Sequence, residues 1–174
     1  MVAIQDQTLA ATNASVVFTS IPQIYAHLKL VLSLRTDEGA ASVSQLQLRF
    51  NGDTGNNYAS NGLAISGSTV SGLSQASTAA MDIGAATAST ADAGRFGMAE
   101  VAIVDYANTT RHKTCISTGG AQGGTGTTIG ANSTSRYMTG IWNSTAAINQ
   151  ITLLANGNLF QIGSRATLYG LSAT

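Results

Sequence analysis

A regular alternation of apolar and polar residues in the segment His27–Arg35 constrains the fold more than any other feature of the sequence. Four leucines occupy every second position, and the residues between them are polar or charged except Val31. A period of two is that of a strand with one buried face. Val43–Phe50 repeats the pattern. Both segments are therefore predicted to be strands, and the Asp and Gly of the connection 36–41 predict that they pair as an antiparallel hairpin.

Further segments have strand character, whereas no stretch combines helical periodicity with a cap and a stop. They are Ser15–Ser20, Tyr58–Ile65, Gly97–Tyr106, Arg111–Thr118, Ser135–Trp142, Ile148–Leu154 and Ala166–Leu171. Many short strands joined by turns are typical of a sandwich or a barrel. A chain of 174 residues is long enough for one core and short for two. The sequence therefore predicts one all-β domain over residues 1–174, an antiparallel β-sandwich of the jelly-roll kind.

Two stretches depart from the strand pattern and are predicted to be long loops. Ser66–Gly94 consists largely of Ser, Ala, Thr and Gly, and Gly119–Thr134 is rich in Gly and Thr. Loops of this length are usually functional or mobile, so they are interpreted either as arms that lie on a neighbouring subunit or as surface loops. The sizeable apolar residues that would anchor the first stretch are Val70, Leu73, Met81 and Ile83.

The chain carries very little charge, and this bears on its partners. Only 9% of its residues are charged, against roughly 25% in an average soluble protein, and the formal net charge is zero. Copies of such a chain repel one another weakly, which favours association. The basic residues are scattered, so nucleic acid is not an expected partner. No window approaches the roughly 20 apolar residues of a membrane span, and the start lacks the pattern of a signal peptide, so we expect folding in the cytosol.

Residues capable of chemistry show no constellation that predicts catalysis. His27 and His112 have no recognisable partners, and a Gly-x-Ser-x-Gly motif is absent from the sequence. Cys115 is the single cysteine, which excludes an internal disulfide. The segment 51–57 resembles a calcium loop in composition, but its spacing is not that of an EF-hand, and a glycine-rich turn explains it equally well. The prediction is therefore no catalytic residue, no cofactor and no metal.

Two pairs of opposite charges flank predicted turns and are interpreted as structural ion pairs. Arg49 and Asp53 are close enough in sequence to meet around one turn, and Asp105 and Arg111 flank another. In so uncharged a chain, each pair would help to fix strand register.

Several motifs resemble those of small structural proteins of tailed bacteriophages, and the resemblance spans nearly the whole chain. These motifs are Ile21-Pro22-Gln23-Ile24-Tyr25-Ala26-His27-Leu28, Leu46–Tyr58 with its core Arg-Phe-Asn-Gly-Asp-Thr-Gly, Asp105-Tyr106-Ala107-Asn108, Gly140-Ile141-Trp142 and Ser164–Gly170 with its closing Leu-Tyr-Gly. The resemblance implies a virion protein with a β-sandwich that forms a homotrimer. Residues expected at subunit interfaces are Tyr25, Val31 and Trp142, together with the loop anchors Val70, Leu73, Met81 and Ile83.

The resemblance leaves open the place of the protein on the virion. A capsid cement or decoration protein, bound to the major capsid protein on the outer capsid surface, is the preferred interpretation because the chain has no heptads or shaft-like repeats. A tail-fibre or tail-tip module that contacts the host is the alternative. A polysaccharide-degrading enzyme is a remote third, since it would need a pair of carboxylates and an aromatic groove that the sequence does not indicate.

Overall fold

The computed structural model describes residues 1–125 and 132–172, and the described residues form twelve strands and no helix. The strands are β1 (Val2–Thr8), β2 (Ser15–Phe18), β3 (His27–Leu34), β4 (Val43–Phe50), β5 (Tyr58–Ser66), β6 (Thr69–Thr78), β7 (Met81–Thr87), β8 (Gly97–Val104), β9 (Lys113–Ala121), β10 (Thr134–Trp142), β11 (Ile151–Leu154) and β12 (Arg165–Leu171). Within this part of the chain, no helix is long and apolar enough to cross a membrane.

The strands form two antiparallel sheets that pack against each other. The larger sheet has eight strands in the order β1-β12-β3-β8-β9-β10-β5-β6, and the smaller has four in the order β2-β11-β4-β7. Every strand pairing is antiparallel. The predicted all-β antiparallel sandwich is confirmed.

The predicted hairpin between the two alternating segments is wrong, although both segments are strands. β3 lies in the larger sheet between β12 and β8, whereas β4 lies in the smaller sheet between β11 and β7. Alternation shows that a strand has one buried face, and both strands bury their leucines in the same core, but from opposite sides. The connection 36–41 is therefore a crossover between the sheets.

The segment Ser66–Gly94, predicted to be a loop, contains two strands, β6 and β7, which together make up most of its length. Every residue of β7 is buried, since its backbone lies between β4 and the strands of the larger sheet. Small residues allow this close approach: a Cβ on Gly140 of β10 would lie 2.1 Å from the sulfur of Met81. The Ser, Thr, Ala and Gly content that favoured a loop reflects this tight packing and, in β6, the exposure of an edge strand.

The end of the predicted loop is held by a buried arginine. The guanidinium of Arg35 donates hydrogen bonds to the carbonyls of Ser89, Ala91, Asp92 and Arg95, at 2.7 to 3.2 Å. These bonds fix the segment that leads from β7 to β8. In the second predicted loop, Gly119–Thr134, β9 continues to Ala121 and β10 begins at Thr134, while 126–131 lie outside the described residues.

Candidate interaction surface

The larger sheet has one covered and one open face. Its inner face packs on the smaller sheet and contributes the leucines of β3 and apolar residues of β8 and β12 to the core. No strand of the described chain covers its outer face, which is therefore the broadest surface available to a partner.

Three ion pairs lie on the outer face of β1, β12, β3 and β8, or at its border, and we call this surface the ion-paired half. The carboxylate of Asp6 accepts two hydrogen bonds from Arg165, at 2.8 and 3.0 Å. These bonds and one from Thr167 hold the pKa of Asp6 below its usual value. The Lys29 ammonium lies 2.9 Å from Glu100.

The third ion pair, between Arg111 and Asp105, lies at the end of β8 beside His27. Nδ1 of His27 accepts a hydrogen bond of 3.2 Å from the backbone N–H of Asp105, whose carboxylate lies 3.8 Å from the same nitrogen. Arg111 lies on the other side of that carboxylate at 3.4 Å, in the arrangement that the sequence suggested for these two residues. His27 thus has a partner that sequence reasoning missed, because the two residues are 78 positions apart.

The outer face of the remaining strands, β9, β10, β5 and β6, carries no charged side chain, and we call it the uncharged half. These strands contain two charged residues, Lys113 and Arg136, and both point inward. Side chains alternate between the two faces of a strand, so this placement follows from register.

The Lys113 ammonium is buried and bound by backbone oxygens. It donates to the carbonyls of Asn108, Arg111 and Thr145, at 2.6, 2.8 and 3.0 Å. Burial lowers the pKa of Lys113, an effect opposed by the charge of Asp105. The lysine joins the turn before β9 to the segment after β10.

The Arg136 guanidinium meets the carboxylate of Asp82 between the sheets. Its Nη1 lies 3.2 Å from Asp82 Oδ2 and 3.1 Å from the carbonyl of Gly84. Burial raises the pKa of Asp82, although the N–H of Gly84, Arg136 and the amide of Gln45 oppose the rise. The pair connects β10 with β7 across the core.

Large apolar side chains stand exposed on the same surface. Six lie on the uncharged half: Leu63, Ile65, Val70, Ile116, Tyr137 and Ile141. Two more, Met98 and Val104, lie on the neighbouring strand β8. The sequence already indicated apolar residues on the outer face, because Ser135–Trp142 has apolar residues on both faces of the predicted strand.

Along the strands, the outer face changes from a depression to a projection. At one end is a groove of about 550 Å³ that is lined mainly by small and apolar residues. It includes Ala102 and Ile116 from β8 and β9, Thr139 and Ile141 from β10, and Asn61 from β5. We call this the groove.

At the other end of the same strands stand four large side chains, Leu63, Ile65, Val70 and Tyr137, which we call the apolar cluster. The registers place Tyr137 beside Leu63 and Ile65 beside Val70. All four are about half exposed or more, at 47 to 62% of their surface. The cluster thus lies on the uncharged half, and the groove lies on that half and on the adjoining edge of β8.

The motif around Asp53 forms a structural corner. Asp53 Oδ2 accepts hydrogen bonds from Trp142 Nε1 at 2.7 Å and from Asn57 at 2.9 Å, and its other oxygen accepts from the N–H of Gly55. These bonds hold the pKa of Asp53 below its usual value. The predicted ion pair with Arg49 is not formed, because Arg49 donates instead to the carbonyl of Ala79.

The aromatic residues of this corner are packed together in the core. The ring of Trp142 stacks on that of Tyr58 with centroids 6.3 Å apart and lies 5.5 Å from that of Phe50. The hydroxyl of Tyr58 accepts a hydrogen bond from the N–H of Phe50, and burial raises its pKa to about 12. No group of three or more metal-ligating side chains occurs among the described residues.

The expected interface residues have different surroundings. Val70 is exposed, and Leu73, Val31 and Tyr25 are partly buried. The ring of Tyr25 lies against Gly170, where a Cβ would be 2.4 Å away. Met81, Ile83 and Trp142 are at most 3% exposed, so the expectation that they lie at a subunit interface is wrong. The sequence shows that these residues are large and apolar, but does not tell whether a neighbouring strand or another subunit covers them.

Comparison with known proteins adds no relative: no family model, curated protein or solved structure matches the chain.

Proposed function

We propose that this protein is a structural subunit of a bacteriophage virion, a cement protein that binds the outer surface of the capsid and stabilises the head. It acts as a homotrimer, and its partner on the particle is the major capsid protein. The phage-like motifs of the sequence support the virion role. The exposed uncharged half supports a role that depends on contact with other protein chains.

The observation that carries the proposal is the set of six exposed apolar side chains on a surface without charge. Monomeric proteins rarely expose contiguous apolar patches larger than a few hundred Å². Covering such a patch removes apolar surface from water, at roughly 25 cal/mol per Å², and desolvates no ion. A structural subunit that is buried in an assembly uses such a surface.

Several residues of the phage-like motifs help to hold the sandwich together. Asp53 binds Trp142, and Asn51 accepts the N–H groups of Asn149 and Gln150 at 2.9 and 3.1 Å. Ser164 accepts the N–H of Arg35 at 3.1 Å. Such residues specify a fold, so they support membership in a group of proteins more than a place on a particle.

Antibody-gold labelling of the particle that contains this chain tests the proposal. Gold spread over the head, in hundreds of copies, is the expected result for a cement protein. Gold confined to the tail or to fibres would replace the cement role by that of a host-contacting module. Absence of gold from both the head and the tail would overturn the virion role.

A further inference from the structure

The groove and the apolar cluster occupy opposite ends of the same strands, and this arrangement suggests how copies meet. On β10, Thr139 borders the groove and Tyr137 stands in the cluster. On β5, Asn61 borders the groove and Leu63 stands in the cluster. A depression and a projection of matching chemistry therefore lie side by side on every protomer.

We propose that the apolar cluster of one copy docks into the groove of a second copy, which makes the groove a self-association site. This inference deepens the proposed function and rests on its requirement for assembly. The groove supplies small side chains and methyl groups at its surface, and the cluster supplies four large ones. The volume of about 550 Å³ falls within the roughly 300–1,000 Å³ of sites that enclose organic groups.

Charge favours a second copy as the occupant. The outer faces of β9, β10, β5 and β6 present no ion, so a charged partner would lose its hydration there without gaining a counter-ion. A second copy brings a surface of the same kind. The chain has a formal net charge of zero, so two copies approach without net repulsion.

The size of the surface is also adequate. Four strands spaced about 4.8 Å apart, with about eight residues each at about 3.3 Å, cover roughly 500 Å² of sheet plane before side-chain relief is counted. A standard stable interface takes about 800 Å² from each partner. The uncharged half with the adjoining edge of β8 is thus of the right order to hold two copies together when the groove and the cluster of each copy take part in the same contact.

The geometry is compatible with a closed assembly. Because the cluster and the groove are different patches, the contact is repeated from copy to copy around a symmetry axis or is formed twice across a two-fold axis. A three-fold ring, as in the proposed trimer, uses the first arrangement, in which each contact joins the cluster of one copy to the groove of the next and covers only part of the uncharged half.

A charge-swap experiment on the full chain tests this docking. Val70→Glu places a carboxylate in the cluster, and Thr139→Lys places an ammonium in the groove; both positions are exposed, and the registers place them two strands apart, too far to pair within one copy. We expect each single change to weaken self-association at least tenfold in sedimentation equilibrium, and the double variant to recover to within about threefold of the unmodified chain. Ser33→Glu, at an exposed position of the ion-paired half, is the matched control and should change association less than threefold.

Several outcomes would overturn the docking. One is an unmodified chain that stays monomeric at about 100 µM, between the millimolar and micromolar dissociation constants of weak complexes. The others are a double variant that associates as weakly as the single variants, and a control variant that weakens association as much as they do. A mass increment on monomers in native mass spectrometry would show a small ligand in the groove and would also overturn it. Circular dichroism checks folding, and Ile65→Glu, at another exposed position of the cluster, replaces Val70→Glu if that variant unfolds.

The result is separable from the labelling experiment. Rescue by the double variant supports the docking even if gold labels no head, in which case only the virion role fails. Loss of rescue with densely labelled heads leaves the virion role standing and removes the groove as the self-association site.

Discussion

The ion-paired half and the uncharged half belong to one sheet face, yet they place charge differently. On the first, Lys29 and Arg165 point outward and pair with carboxylates in contact with solvent. On the second, Lys113 and Arg136 point inward and bind groups within the protein. Burying a charge is costly unless hydrogen bonds compensate it. The comparison indicates that the inward cations contribute to the fold and leave their outer surface suited to a protein partner.

The largest expected effect comes from removing an inward cation. Lys113→Met should lower the free energy of unfolding by about 3 kcal/mol, because three hydrogen bonds are lost and each contributes about 0.5–1.5 kcal/mol net. Urea denaturation measures this loss. Lys29→Met, its counterpart on the ion-paired half, should cost about 0.5 kcal/mol. Equal losses would show that the two halves do not differ in this respect.

A second expected effect concerns the layer beneath the uncharged half. Gly140→Ala should lower the free energy of unfolding by about 2 kcal/mol, since the new methyl group would overlap the side chain of Met81 and overpacking costs about 1–3 kcal/mol. Gly72→Ala is the control on the same half, where a Cβ meets nothing within 4 Å. A thermal melt of both variants measures the difference. If Gly140→Ala were as harmless as Gly72→Ala, β7 would not support β10 as closely as the structure shows.

A third expected effect links pH to the corner at the end of β10. Asp53 and Trp142 should be coupled by about 1 kcal/mol at pH 7, because a charged acceptor strengthens the bond from the indole N–H. The double-mutant cycle uses Asp53→Asn and Trp142→Phe. The pKa of Asp53 is lowered from 3.8 in the folded chain, so its stabilisation is present above pH 3.8 and is lost as the pH falls through the lowered value.

Denaturant titrations of the four chains of this cycle at pH 7 and at pH 3 provide the measurement. We expect the coupling to shrink at the lower pH. A coupling that stays constant would mean that the carboxylate charge contributes nothing to the bond.

Local patterns predicted which segments are strands more reliably than how those strands are arranged. The alternation in β3 and β4 identified both, because it depends only on a buried and an exposed face. Their assignment to different sheets depends on contacts between distant residues, such as Arg35 with the segment before β8. β7 was missed because it combines large residues with small ones such as Gly84 and Ala85 and is buried along its whole length, so it has no alternation of apolar and polar residues.

The sequence predicted only part of the candidate surface. The low charge of the chain predicted association, and Val70 was named as an interface residue. Met81, Ile83 and Trp142 were assigned to an interface because apolar character does not distinguish the core from a subunit contact. The groove forms where β5 and β6 lie beside β10, β9 and β8, and because these two groups of strands are separated along the chain, no local pattern encodes it.

The smallest expected effect tests the ion-paired half directly. Glu100→Gln removes the partner of Lys29, and the free energy of unfolding should fall by only about 0.5 kcal/mol, since both side chains are about one-third exposed and water screens their attraction. Even this loss should diminish in 1 M salt, where the Debye length is about 3 Å. Denaturation of the variant and the unmodified chain at low and high salt measures it. A loss of several kcal/mol that is insensitive to salt would mean that these ions are shielded from solvent, and the contrast with Lys113 would disappear.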